Sequence, residues 1–162
     1  MSRATFSGPV LSGTVKYNTY KNVGNSTILQ TATITQNSTN AVSATFYIPA
    51  TSQLVDILVD PIVAFDSATS AVLSVGTAAA GTQYASGVDV KGSTSRVRPT
   101  FTLTQLTNMA ATATDATVSP LAGTPTSTVV ATVTPTGATT AGQVRVTLIY
   151  AQFDDRSAGT AV

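Results

Sequence analysis

The 162-residue chain contains no histidine, cysteine or tryptophan, and reading along it finds no glutamate. Each absence removes a kind of chemistry. Without His, no side chain has an unperturbed pKa inside the physiological window. Without Cys and His, the residues that dominate nucleophilic and transition-metal sites are gone. The lack of Cys also excludes disulfides and thiolate clusters, while leaving the redox compartment open. Ser and Thr are plentiful, but a hydroxyl needs a base to activate it, and no G-x-S-x-G elbow is present. The chain therefore reads as a non-enzyme, with no cofactor and no metal. It presents surfaces.

Charge is the next scarcity. Charged residues make up 9% of the chain, against about 25% in ordinary soluble domains. Eight Lys/Arg face seven Asp for a net charge of +1, with no block of one sign, so no nucleic-acid partner is expected. Long hydrophobic runs are missing too. The most apolar stretch, Leu54 to Phe65, is cut by Asp56, Asp60 and Pro61 and falls well short of the ~20 residues of a spanning helix. No membrane partner is expected. The N-terminal MSRATFSGPVLSG lacks the apolar core of a secretory signal, which points to synthesis in a cytosol. Hydrophobic residues still reach 43%, and with so few charges part of that area is expected to meet another chain.

What is abundant is Thr, Val, Ala and Ser in alternation. Residues 1–25, rich in Gly, Asn, Ser and Thr with little periodicity, read as an extended N-terminal arm. Residues 26–153 read as one β domain, and 154–162 as a flexible tail. AVSATFYI puts Val42, Ala44, Phe46 and Ile48 on one face and is stopped by Pro49. In QLVDILVDPI strict alternation sets Val55, Ile57 and Val59 against Leu54, Asp56, Leu58 and Asp60, a mixed face that a partner could cover. AVLSVG, GVDVK, STVVATVT and QVRVTLIYAQF supply further strands, the last with Val144, Val146, Leu148 and Tyr150 together. Pro99 makes RVRPTFTLT an edge strand or a bulge, Thr104 is expected to cap a short helix over Gln105–Ala111 with Leu106, Met109 and Ala110 inward, and PTGATTAGQ reads as a hairpin with a long loop. GTAAAG, with no Lys-Ser/Thr after it, is a turn and not a phosphate loop. Some seven or eight short strands with almost no helix indicate an all-β, single antiparallel sandwich, jelly-roll-like.

Few constellations carry chemistry. Asp56 and Asp60 stand about 13 Å apart along one strand, too far to share a proton, and read as solvated or rim carboxylates. Asp154 and Asp155 lack EF-hand spacing. Arg96 and Arg98, at i and i+2 on a strand, send both guanidinium groups to one face, where they could hold phosphate, carboxylate or a neighbouring subunit, or simply guard an edge. Lys16 and Lys21 with Tyr17 and Tyr20 form a small basic aromatic cluster. Stacking platforms for nucleic acid need a continuous basic groove as well, so the cluster reads as an interface anchor.

The stretch from IPATSQLVDILVDPIVAF to GVDVK, then RVRPTFT and the closing VVATVTPTGATTAGQVRVTLIYAQ, resembles a group of small tailed-bacteriophage virion proteins. Members show a VDxxxAF strand, an LSVGTA turn and a final TPTGxxTAGxxxVxxxY. The resemblance spans roughly residues 42–152. At Pro61 this chain departs from the group, which more often carries a β-branched residue there. What the resemblance implies is a virion structural protein, made in the host cytoplasm. It would be a capsid decoration (cement) protein on the outer surface of the phage head, or a head-fibre base, with the major capsid protein as partner. Self-association as a homotrimer is expected from the mixed face at Leu54 and Leu58 and the edge around Pro99. Contacts to capsid or subunit are expected at Arg3, Phe6, Pro9, Val10, Lys16, Tyr17 and Tyr20 of the arm and at Arg96 and Arg98. The alternative is a receptor- or glycan-binding fibre or tail module, although with no Trp and 6% aromatics it has few platforms on which to stack a sugar.

Overall fold

The period-two stretches become strands. The computed structural model describes residues 26–49, 52–92, 94–110 and 126–152. Its elements in chain order are β1 (Ser26–Thr35), β2 (Val42–Pro49), β3 (Ser52–Val63), β4 (Ser70–Gly76), β5 (Ala85–Asp89), α1 (Leu103–Met109), β6 (Thr126–Thr136) and β7 (Gln143–Gln152). They form two antiparallel sheets, ordered β1-β7-β3 and β2-β6-β4-β5. This is the all-β sandwich that the alternation predicts. Phe46 and Ile48 of β2, Leu73 and Val75 of β4, and Val146 and Leu148 of β7 are all buried in one core, each side chain of that size contributing about 1.5–3 kcal/mol. The GTAAAG segment is a turn, closed by the Gly81 N–H donating to the Ala78 carbonyl at 2.9 Å.

In β3 the expected alternation fails at Val55. Leu54 pairs with Tyr150 and Asp56 with Ile149, so Val55 is an extra residue in a β-bulge. Leu54 is consequently in the core at 2% exposure with Ile57 and Val59, whereas Val55 is 53% exposed. Leu54 does not belong to the mixed outer face. A run in which Leu54, Val55 and Ile57 are all apolar gives no sign of which one bulges, because alternation is the only cue and the bulge erases it. The strand also continues through Pro61, which pairs with Val144. Among the described residues β3 is an outer strand of its sheet, a position where a missing N–H is tolerated.

The helix begins earlier than Thr104. Thr102 is its N-cap and makes a reciprocal capping box with Gln105, leaving Gln105 and Met109 buried and Leu106 49% exposed. The T-x-x-Q spacing at Thr102–Gln105 was the available signal. RVRPTFTLT contributes no full strand, only a single antiparallel bridge between Val97 and Val59, with Pro99 buried.

The connection PTGATTAGQ is not a hairpin. It joins β6 and β7, which lie in different sheets, and so forms an arch over one end of the sandwich. Its backbone is tied down by the Gln36 N–H to the Gly142 carbonyl (2.8 Å) and the Ala68 N–H to the Ala138 carbonyl (3.0 Å). Asp66 completes the closure by accepting the N–H groups of Thr140 (2.9 Å) and Ala141 (3.0 Å) as well as the Thr140 hydroxyl. These donors, the Thr140 hydroxyl first, hold the Asp66 carboxyl down at about 2 against an ordinary 3.8. A folded-state pKa lowered in this way stabilises the fold above the unfolded value, and the contribution disappears as pH falls from about 4 toward about 2. Asp66→Asn is therefore expected to flatten the acid limb of a stability–pH curve in that window. An unchanged acid limb would show that the arch does not depend on the carboxylate.

Candidate interaction surface

Alternation on β3, β7 and the Val97 segment places a row of charge on the outer face of the three-stranded sheet. Because Val97 bridges Val59, Arg96 stands opposite Asp60, and Arg98 lies diagonal to Asp56, within reach of a long side chain. On its other side Asp60 is paired in register with Arg145. Arg96 Nε and Nη2 both donate to the Asp60 carboxylate, Arg145 Nη2 donates to it at 3.4 Å, and Arg98 Nη2 donates to Asp56. The second Asp56 oxygen accepts the Ile57 N–H at 2.9 Å. Hydrogen bonding from Arg96, with Arg145 adding to it, holds the Asp60 carboxyl below its ordinary value. The same contact raises the Arg96 guanidinium.

The two carboxylates are therefore not simply solvated. Their side chains are 12–14% exposed, while Arg96 is 59% and Arg98 72% exposed. The arginines cover the aspartates. Sequence spacing placed Arg96 and Arg98 on one face, as observed, but their partners could not be read from it. Those depend on which of the other strands the 95–98 segment lies against. Arg145 joins the row for the same reason. Of the other expected contact residues, Arg3, Phe6, Pro9, Val10, Lys16, Tyr17 and Tyr20 lie outside the described residues.

Removing Arg98 would leave Asp56 largely buried with one oxygen unsatisfied, a loss of about 1–3 kcal/mol. Removing Arg96 would cost less, because Asp60 keeps Arg145 as a partner. In urea melts Arg98→Ala is expected to fall below Arg96→Ala. The opposite order would mean that the Arg98 pair is only a surface contact.

Elsewhere the outer faces are hydroxyl ladders. Thr31 and Thr147 share a hydrogen bond at 2.9 Å, and Ser43 and Thr132 one at 2.8 Å. Apolar side chains that stand out to solvent include Leu29 (62%), Tyr47 (64%) and Leu103 (82%). Among the described residues no group of three or more acidic residues is placed to hold a metal ion, and no helix is long and apolar enough to cross a membrane.

Fold and surface together define a small antiparallel β-sandwich with a paired arginine row on one outer face and hydroxyl ladders beside it. No family model matches the chain, and no curated protein matches it. Among solved structures its fold is similar to that of a chain in the cyanophage Pam1 capsid asymmetric unit, with a TM-score of 0.54, 16% identity, and coverage of 90% of this chain and 98% of that one.

Proposed function

We propose that the chain is a non-enzymatic structural subunit of a bacteriophage particle, and within that role a capsid decoration protein that binds the outer face of the shell and clamps neighbouring major capsid subunits. The observation that carries the reading is the likeness in fold to a chain of a phage capsid, which takes in nearly the whole of both chains. It is thus a likeness between two chains of similar length. Connectivity adds support. If the Val97 bridge is counted as a vestigial strand beside β3, the sheets become β1-β7-β3 plus that strand, and β2-β6-β4-β5. That order favours a jelly roll, an architecture frequent in viral capsid and lectin domains. Composition agrees: a Thr/Val/Ala sandwich makes a rigid, inert body with wide faces.

In this reading the arm reaches a capsid protein or a neighbouring copy, and the arginine row offers a second contact. Self-association, as a trimer, would multiply weak contacts on one particle. The protein is expected to co-sediment with expanded heads that lack it and to raise their melting temperature. Deleting residues 2–13, which removes Arg3, Phe6, Pro9 and Val10, should weaken that binding by about tenfold, or ~1.4 kcal/mol, while leaving the cooperative melt intact. Failure of the full-length protein to bind heads, with retention on host cells or a glycan array instead, would replace this reading with a receptor-binding one.

A further inference from the structure

The two ends of the sandwich are unlike. Ser26 and Ser52 both pair with Gln152, Pro49 pairs with Thr126, and only two residues separate Pro49 from Ser52. The start of β1, β3 and β6 and the close of β2 and β7 therefore share one end. α1 is fastened to this end as well. β4 finishes here, with Gly76 opposite Val130, and in the connection that follows the Thr82 and Gln83 carbonyls accept Gln105 Nε2 (3.1 Å) and Asn108 Nδ2 (3.0 Å). The opposite end is closed by the arch and by Lys91, whose Nζ donates to the Ala68 and Thr69 carbonyls at 3.1 Å each.

Charge and apolar surface divide between these ends. Among the described residues every charged side chain except the mid-strand pair Asp56 and Arg98 belongs to the closed half: Asp60 with Arg96 and Arg145, Asp66 under the arch, and Asp89 with Lys91. Large apolar side chains that are more than half exposed lie toward the other end. Leu29 is on the outer face of one sheet and Tyr47 on that of the other, Val55 is in the β3 bulge, and Leu103 is on α1. Only Ile62 and Val63, both under half exposed, accompany the charge. The chain connections have the same polarity. Residues 1–25 meet the sandwich at Ser26, residues 111–125 link α1 to β6, and residues 153–162 follow Gln152.

We infer, resting on the capsid-binding reading above, that the apolar end is the one that seats on the shell, against an apolar, uncharged surface of a shell subunit. The centre of an interface is depleted of charge and enriched in aromatic and large apolar groups, which describes this end and not the other. Single exposed hydrophobics scattered over a surface need no partner. Here they gather around one end, on both sheets, the β3 edge and the helix. A second copy is the poorer occupant. Its end would bring three more chain connections to the same small face, whereas a shell is wider than the end that stands on it. The charged end is left toward solvent, where ion-paired side chains stay hydrated, and the arginine row is left on the flank for a neighbour.

The chain has no native cysteine, so single thiols report directly on which end is covered. Leu103→Cys, Tyr47→Cys and Val63→Cys are made in the full-length protein, and the rate of maleimide labelling is measured free and on expanded heads that lack the protein. With head sites about tenfold above Kd, labelling is expected to slow by about tenfold at Leu103 and Tyr47 and to stay unchanged at Val63. Protection of Val63 alone, or equal rates at all three positions on heads that do bind the protein, would overturn the docking end while leaving the capsid-binding reading in place. Failure of the unsubstituted protein to co-sediment with heads would remove that reading and the docking end with it. Slow labelling at Leu103 and Tyr47 in the free protein that is relieved by dilution would assign the end to a second copy and overturn its seat on the shell.

Discussion

Gly142→Val is expected to lower the urea midpoint by the equivalent of about 3 kcal/mol, the upper end of what overpacking a core costs. A Cβ added at Gly142 would lie 2.3 Å from Cδ1 and 2.6 Å from Cγ and Cε1 of Phe65. Phe65 is 1% exposed and cannot swing into solvent. The Gly142 carbonyl meanwhile accepts the Gln36 N–H, so the backbone cannot retreat without losing a tie between the arch and the end of β1. The clash is with one ring, which makes the prediction separable from general disruption. Phe65→Ala alone should cost about 3–5 kcal/mol through the cavity it leaves. The two changes together should cost less than their sum, because the valine methyls enter the space vacated by the ring, with a coupling of about 0.5–3 kcal/mol. Strict additivity would place the cost of Gly142→Val somewhere other than Phe65.

That arch also shows where sequence reasoning ends. β2, β4 and β7 are legible residue by residue because Phe46 and Ile48, Leu73 and Val75, and Val146 and Leu148 recur at period two on the core face, and the pattern states its own orientation. Nothing in such a pattern says which sheet a strand joins. The loop between β6 and β7 has the Pro and Gly content of a hairpin, and the same residues serve an arch: Gly137 adopts φ +86° and Gly142 makes room for a ring that comes from the β3–β4 connection. The surface row has the same origin. Arg96 and Arg98 were legible as a pair. Asp60, Asp56 and Arg145 became their neighbours only through the Val97–Val59 bridge and the β3–β7 register, which bring together positions far apart in the chain.

The bulge in β3 supplies the second large effect, and here the strict-alternation reading and the structure make opposite forecasts. If alternation held, Val55 would share the core face with Ile57 and Val59, and Leu54 would lie outside with Asp56. In the structure Leu54 is buried against Tyr150 of β7 and Val55 stands 53% exposed. Leu54→Ala is therefore expected to cost about 2–5 kcal/mol, the usual range for emptying a packed leucine site. Val55→Ala should stay within about 0.5 kcal/mol, as surface substitutions do. The contrast matters for the outer face as well as the core. By absorbing one residue, the bulge lets Leu54 and Ile57 both face inward while Asp56 and Asp60 remain on the side where Arg98 and Arg96 meet them. Without it, one of those two sets would be on the wrong face, since a one-residue slip exchanges the faces of a strand. Two urea melts decide the matter. A large loss at Val55 with a small one at Leu54 would return β3 to simple alternation and remove the geometric basis of the arginine–aspartate row.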